Sequence, residues 1–279
     1  MLQSFDHVTL AVADLDAAVA SYAALLGRPP VWRGAHPGLG TRAALFALRN
    51  AMIELVGAVD DLPEADGLRA HLAARGEGLL GFTLGCADAA ATSKALRERG
   101  VRATPPEDGE AQSASGEQRR FRVVELSPTT TRRVPVTLVE RVDPLPLPTT
   151  PFAPAEASAL DHVVLRTGDC DAAIALYRDG LGIRLALDKE VAGTRMLFFR
   201  VGGVTLEVVH ERTLGAADVL HGLAYRVGDA AAAHARIVSA GVDASEVRIG
   251  RKDGTHVFTV RDKTAGVPTL VLHDPSRDA

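Results

Sequence analysis

An internal repeat constrains this chain to a modular fold more strongly than any other feature of its sequence. Residues 5–26 correspond to residues 160–181 at a constant offset. In both copies a short run rich in β-branched residues predicts a strand. Asp14 or Asp169 then stands where a helix N-cap accepts the free amide hydrogens of the first turn, and apolar residues follow at helical spacing. The repeat therefore predicts two copies of one strand–helix unit.

The two copies continue in parallel beyond the helix. A Gly-Thr-Arg segment occurs in each, ending at Arg42 or Arg195, and it leads into an apolar strand. A further apolar strand follows, with a single glutamate inside it, Glu54 or Glu207. Two weaker copies of the unit, starting near residues 80 and 221, fill the remaining sequence. The chain is therefore predicted to be an α+β protein of four β-α-β-β-β modules.

A proline-rich segment divides the four modules into two pairs. Residues 143–154 contain five prolines, which favour an extended connector. The predicted organisation is an N-terminal domain of residues 1–142, a linker of residues 143–157 and a C-terminal domain of residues 158–279. In this arrangement neighbouring modules pair. The alternative, in which the two outer modules pair and the two inner modules pair, stays open.

Composition excludes several classes of protein. The chain has 279 residues, of which 47% are hydrophobic and 24% charged, so it is expected to fold. A net charge of −4 and only 4% aromatic residues argue against a nucleic-acid surface. No apolar run is long enough to span a membrane, and the N-terminus lacks the basic region of a signal peptide. With two distant cysteines, Cys86 and Cys170, the expected location is the cytoplasm. The expected partner is a small-molecule substrate, and the chain is expected to be a monomer or a homodimer.

Two short motifs carry a resemblance to a known superfamily. They are Asp6-His7-Val8 with Ile53-Glu54-Leu55, and their counterparts at residues 161–163 and 206–208. With four modules, this pattern resembles the vicinal oxygen chelate superfamily, which contains glyoxalase I, methylmalonyl-CoA epimerase, extradiol dioxygenases, and the bleomycin and fosfomycin resistance proteins. The resemblance covers nearly the whole chain. It implies glyoxalase-like cupped barrels that hold a divalent metal, but one scaffold of this kind supports many reactions.

Carried over to this sequence, the resemblance implies a metal site in the C-terminal pair of modules. Its ligands would be His162, Glu207 and His221, with Leu270 at a fourth position. Two imidazoles and one carboxylate can hold Fe, Mn, Ni, Co or Zn while leaving positions open for a chelating substrate. Which of these metals is bound stays open.

The N-terminal pair of modules offers a weaker set, His7 and Glu54, facing Leu80 and Thr137. If the outer modules pair instead, His7, Glu54 and His221 would form the site. The structural alternative is that these histidines are ordinary core or rim residues. The inward carboxylates would then be satisfied by cations or hydrogen bonds.

The resemblance favours a metal-dependent, glyoxalase- or epimerase-like lyase or isomerase. Its substrate would be a small oxygenated compound, converted through enediolate chemistry with Glu207 as metal ligand or base. If they point into the cups, Arg42, Arg195 and His256 would bind an anionic group of that substrate. One alternative function is a non-catalytic binding or resistance protein. A third is an extradiol ring-cleaving dioxygenase. Leu270 argues against this function, because it stands where those enzymes usually have a glutamate.

Overall fold

The strands of the N-terminal half close into a barrel. The computed structural model describes residues 2–144 and 150–277, so residues 145–149 of the predicted linker lie outside the described part. The strands of this half are β1 (Leu2–Ala11), β2 (Trp32–His36), β3 (Thr41–Ala47), β4 (Met52–Ala58), β5 (Gly78–Cys86), β6 (Glu107–Ser113), β7 (Gln118–Glu125) and β8 (Val136–Arg141). Their order around the barrel is β1-β4-β3-β2-β6-β7-β8-β5. The first and second modules therefore enclose one interior.

The C-terminal half repeats this order in a sheet whose ends do not meet. Its strands are β9 (Ala159–Thr167), β10 (Arg184–Val191), β11 (Thr194–Val201), β12 (Val204–His210), β13 (Val219–Arg226), β14 (Arg248–Ile249), β15 (His256–Val260) and β16 (Thr269–His273). Their order is β10-β11-β12-β9-β13-β16-β15-β14. Each half thus carries two modules, and the predicted α+β class with two glyoxalase-type cupped domains is confirmed.

The helices pack against strands of the sheets, and most of them begin as the sequence predicts. They are α1 (Leu15–Leu26), α2 (Asp66–Arg75), α3 (Ala89–Glu98), α4 (Cys170–Ile174) and α5 (Ala230–Ser239). The Asp14 carboxylate accepts hydrogen bonds from the first-turn amides of α1, and Asp169 does so for α4. Two features were not predicted. Helix α4 continues as a π-helical turn over Ala175–Gly180, and α2 is an additional helix between the first and second modules.

Barrel closure depends on a close approach between β2 and β6. Gly34 pairs with Ser113, and Ala35 pairs with Gln112. A Cβ atom on Gly34 would lie 2.2 Å from the carbonyl oxygen of Gln112 and 2.4 Å from the Trp32 ring. Only glycine fits there without displacing the backbone.

The two domains pack on one another through a shared hydrophobic core. The Tyr22 hydroxyl of α1 donates to the carbonyl of Thr264, 3.1 Å away. The Asn50 side chain both donates to and accepts from the backbone of Leu160, at 2.8 and 2.9 Å. The largest fully buried side chains of both halves, including Tyr22 and Tyr225, belong to one apolar cluster.

Both cysteines are buried and free. Within the described residues no helix is long and apolar enough to cross a membrane.

Candidate functional site

Glu54 is a buried carboxylate on the inner face of the N-terminal barrel. The parallel pairing of β1 with β4 places Thr9 opposite Glu54, and the Thr9 hydroxyl donates to Oε2 of Glu54 at 2.9 Å. Nε2 of His7 lies 3.4 Å from the same oxygen, and Nε2 of His36 lies 3.8 Å from Oε1. Both carboxylate oxygens therefore face polar partners, as a buried charge requires.

These neighbours determine the charge of Glu54. Burial by itself raises the pKa of this carboxyl group, because the apolar surroundings disfavour its charged form. The positive potential of His7 and His36, the Thr9 hydrogen bond and Arg141 together outweigh burial and lower the pKa below its usual value. At neutral pH the side chain is therefore an ionised carboxylate that can accept a proton.

Asp6 fixes the orientation of His7. Oδ1 of Asp6 lies 2.6 Å from Nδ1 of His7, and Arg141 forms an ion pair with the same carboxylate. Although burial raises the pKa of Asp6, the bonds to His7 and Arg141 hold it well below its usual value. These contacts hold the His7 ring with Nδ1 toward Asp6 and Nε2 toward Glu54.

A cavity of about 420 Å³ lies above Glu54, within the size range of small-molecule sites. Its wall is mainly apolar and includes Leu45, Phe82 and Phe121. Two wall residues carry buried donors that have no partner among the described residues: Nε1 of Trp32, and Nε and Nη1 of Arg119. Unpartnered buried donors are costly, so a bound acceptor group would stabilise them.

The sequence interpretation missed three contributors to this cavity. His36 was not among the predicted site residues, but it ends β2 and reaches the cavity because the barrel closes there. The alternation of Trp32, Gly34 and His36 was the available signal for this placement. Arg119 on β7 and Leu68 on the unpredicted helix α2 also line the cavity. Neither carried a recognisable motif.

The C-terminal cup brings together two of the predicted ligands. His162 and Glu207 line a second cavity of about 650 Å³, and Nδ1 of His162 lies 3.0 Å from Asp161. The strand register places Val164 opposite Glu207, where the barrel has Thr9 opposite Glu54. Glu207 therefore lacks the hydroxyl donor that Glu54 has.

The third predicted ligand, His221, is not part of this cavity. It lies at an irregularity in the pairing of β13 with β9, between Leu220 and Gly222. Its Nε2 is 2.8 Å from a guanidinium nitrogen of Arg166. Burial and the Arg166 charge both lower the pKa of His221, which favours the neutral ring.

Strand register explains why the sequence alignment differs from the structure. Ala224 lies opposite His162, three residues beyond His221. In the barrel Thr83 lies opposite His7, three residues beyond Leu80. In the second and fourth modules, the sequence alignment therefore placed the first-strand ligand position three residues too early, at Leu80 and His221. Irregular pairing in both strands, which sequence periodicity does not reveal, accounts for the offset.

The three predicted substrate-binding side chains lie outside both cavities. Arg42 is exposed, Arg195 forms ion pairs with Asp171 and Asp188, and exposed His256 stacks on His273. Each is adjacent in sequence to a cavity-lining residue: Thr41, Met196 and Val257, respectively. Because strand side chains alternate between faces, these three point away from the interiors.

The residues present do not fit the expected metal site. Within the described ranges, no group of three or more His, Cys, Asp or Glu side chains is arranged to hold a metal ion. The positions paired across the barrel are Thr83 and Thr137, whose hydroxyl oxygens lie 2.6 Å apart. In the C-terminal cup the equivalent positions are Ala224 and Leu270. Hydroxyl groups bonded to each other, or apolar side chains, thus stand where the superfamily pattern needs ligands.

Fold and site together define a two-domain protein of paired β-α-β-β-β modules with a polar group inside each cup. The chain belongs to the glyoxalase-like domain family, whose model matches residues 5–154. The model of the Glyoxalase/Bleomycin resistance protein/Dioxygenase superfamily matches residues 159–268. The chain is thus a tandem member of the vicinal oxygen chelate superfamily, whose members typically bind a divalent metal. No curated protein matches the sequence.

Two solved structures share this architecture over nearly the whole chain. A mutant of 4-hydroxymandelate synthase from Streptomyces coelicolor is 18% identical with a TM-score of 0.71, over 98% of this chain and 92% of that one. A hypothetical protein from Staphylococcus aureus is 10% identical with a TM-score of 0.65, over 97% and 99%. These two likenesses concern the fold alone. Methylmalonyl-CoA epimerase from Mycobacterium tuberculosis is 28% identical over 51% of this chain and 90% of its own, with a TM-score of 0.43.

Proposed function

We propose that this chain is a glyoxalase-like lyase or isomerase that transfers a proton on a small oxygenated substrate inside the N-terminal barrel. Glu54 is the proposed base. The observation that carries the proposal is a single arrangement: an ionised, buried carboxylate that faces an apolar cavity and accepts a hydrogen bond from Thr9. The sequence predicted Glu207 in this role. We assign the role to Glu54 instead, because Glu207 lacks an equivalent hydroxyl partner.

The chemistry follows from what the carboxylate can accept. Glu54 takes the proton from a carbon next to a carbonyl group, and the electron pair of that C–H bond moves onto the carbonyl oxygen. Protonation of the same carbon from its opposite face gives an epimer. In an α-hydroxy ketone, a shift of the hydroxyl proton to the former carbonyl oxygen and return of the carbon-bound proton to the former carbonyl carbon give an isomer. Expulsion of a leaving group gives a lyase reaction instead. His7, oriented by Asp6, lies beside Glu54 and positions the carboxylate.

The unpartnered donors of the cavity indicate how the substrate is held. Arg119 and Trp32 line the cavity with Glu54, and their free N–H groups would bind a carboxylate or carbonyl oxygen. Such donors stabilise negative charge more strongly in an apolar enclosure than in water. A small anionic oxygenated compound therefore satisfies both the apolar wall and these donors.

The divalent metal expected from the resemblance (Fe, Mn, Ni, Co or Zn) has no matching ligand set among the described side chains. No step of the proposed reaction passes through a metal. We assign the stabilisation of negative charge to hydrogen-bond donors of the chain itself.

The direct test is solvent exchange. Small α-hydroxy ketones, 2-oxo acids and dicarbonyl compounds are incubated with the protein in D₂O, and deuterium at the acidic carbon is followed by NMR. Glu54→Gln is expected to slow exchange by about 10²- to 10⁴-fold, the usual contribution of a general base. Glu98→Gln on the exposed face of α3 serves as the matched control.

Three results would overturn the proposal. Exchange at the same rate in Glu54→Gln would remove Glu54 as the base. Tight binding of a compound without any exchange or conversion would identify a binding or resistance protein instead. Oxygen-dependent ring opening of catechols would point to the dioxygenase alternative.

A further inference from the structure

The C-terminal cup is strongly basic although the chain as a whole carries a net charge of −4. Its lining contains three carboxylates, from Asp161, Glu207 and Asp274, against six basic side chains. The basic residues of this lining are Lys189, Arg200, Arg248, Arg251, Lys252 and Arg277. A concave site that is lined mainly by charges of one sign attracts ligands of the opposite charge.

Four of these six basic groups form no ion pair with a carboxylate of the described residues, and three of the four are arginines. Lys252 lies 2.6 Å from Asp274, and Arg277 forms an ion pair with Asp161. Across residues 2–144 and 150–277, no carboxylate forms an ion pair with Arg200, Arg248 or Arg251. Three guanidinium groups with unused donors therefore border one cavity.

Arg200 is the most constrained of the three. It lies on β11 and is partly buried in the cup. Burial and the nearby cations Arg277, Arg184 and Arg226 lower the pKa of its guanidinium, against the opposite effect of Asp161. A cation held among other cations is stabilised when an anion binds beside it.

The floor of the same cavity is apolar. Met196 and Phe198 of β11 line it, together with Val257, Leu270 and Leu272. Lys189 lies over the Phe198 ring, with its Nζ 5.7 Å from the ring centre. A ligand that fills this cup therefore presents negative charge to the arginines and an apolar body to the floor.

We propose that the C-terminal cup binds a small organic phosphate ester, at a site separate from the Glu54 cavity. A phosphate monoester carries close to two negative charges at neutral pH and offers several acceptor oxygens to the arginine side chains. A monocarboxylate would neutralise only one of three unpaired guanidinium groups. Inorganic phosphate shares the anionic chemistry but leaves the apolar floor uncovered.

The test is calorimetric titration of the full chain with phenyl phosphate, inorganic phosphate and phenol as probes. Phenyl phosphate is expected to bind at least about tenfold more tightly than inorganic phosphate, because the ring covers apolar surface. Phenol is expected to show no binding at this site. Raising the salt concentration should weaken the binding of phenyl phosphate, since screening reduces attraction at an open cup.

Variants locate the site. Arg200→Gln and Arg248→Gln are each expected to weaken phenyl phosphate binding by about tenfold, the value of one lost charge-assisted hydrogen bond. Arg195→Gln removes the same charge from β11, but its side chain is paired with Asp171 and Asp188 outside the cup. This control is expected to change the affinity by less than about twofold, because exposed distant charges are screened. Exposed Arg248 on β14 keeps the test valid if the Arg200 variant fails to fold.

Three outcomes would overturn the inference: no binding of phenyl phosphate, equal affinity for phenyl phosphate and inorganic phosphate, or equal weakening by Arg195→Gln. The inference does not depend on the proposed reaction. Glu54→Gln is expected to bind phenyl phosphate as the parent chain does, whether or not Glu54 is a catalytic base.

Discussion

Nε2 of His7 lies 3.4 Å from Oε2 of Glu54, on neighbouring parallel strands of the N-terminal barrel. This relationship depends on register, because His7 itself pairs with Met52 and Thr9 pairs with Glu54. The inward side chains of the two strands thus converge diagonally on one carboxylate. A base held between an oriented imidazole and a hydroxyl group is able to accept a proton from a substrate bound above it.

Thr9→Val is expected to move the acidic limb of the pH–rate profile upward. Glu54 must be ionised to act as a base, and the Thr9 hydrogen bond helps to lower its pKa against the effect of burial. Loss of one hydrogen bond to a charged group corresponds to about one to two pKa units. Steady-state rates between pH 3 and pH 8 check this, with Thr83→Val as the control in the same cavity. An unchanged limb in Thr9→Val would separate Glu54 from the titrating group.

Arg119→Gln is expected to raise KM for an anionic substrate by about tenfold or more, with a smaller change in kcat. In the proposed reaction Arg119 binds a substrate group that keeps its charge throughout, so its loss weakens ground state and transition state alike. Arg122→Gln is the matched control, since Arg122 lies on the same strand and forms ion pairs with Asp108 and Glu140 outside the cavity. If both variants gave the same KM as the parent, Arg119 would have no role in binding substrate.

The repeat allowed the module architecture to be predicted, but not the strand register. Asp14 and Asp169 could be recognised as N-caps because capping is local in sequence. The three-residue error that selected His221 in place of Ala224 arose because both first-strand segments are apolar and irregularly paired. Helix α2, which lies between two modules, depends on long-range contacts. So does the barrel closure that brings His36 to Glu54. Periodicity within one segment carries no information about such contacts.

Metal removal is expected to leave the reaction unchanged. No group of three His, Cys, Asp or Glu side chains among the described residues is arranged as a metal site. Mass-spectrometric metal analysis of untagged protein should give well under one metal per chain, and activity should survive dialysis against EDTA. About one Fe, Mn, Ni, Co or Zn per chain, lost in His7→Ala and retained in His221→Ala, would instead assign a metal to the Glu54 cavity.

Asp161 is expected to contribute stability that disappears in acid. Burial raises its pKa, but His162, Arg277 and Arg226 together lower the pKa to about 2. The unfolded chain then binds the proton more readily, so the stabilisation is complete above about pH 4 and is lost as the pH falls toward 2. Asp161→Asn should therefore lower the free energy of unfolding at pH 7 by on the order of 2 kcal/mol. Urea titrations at pH 7 and pH 2.5 check this, and the exposed variant Asp60→Asn should change little at either pH.

The most direct test of the account is to compare Glu54→Gln and Glu207→Gln in the same D₂O exchange assay. The two glutamates occupy corresponding strands of the two domains, so the substitutions are chemically matched. We expect exchange to be lost in Glu54→Gln, whereas the rate in Glu207→Gln should stay close to that of the parent chain. Loss of exchange in Glu207→Gln together with a normal rate in Glu54→Gln would place the reaction in the C-terminal cup and contradict the account.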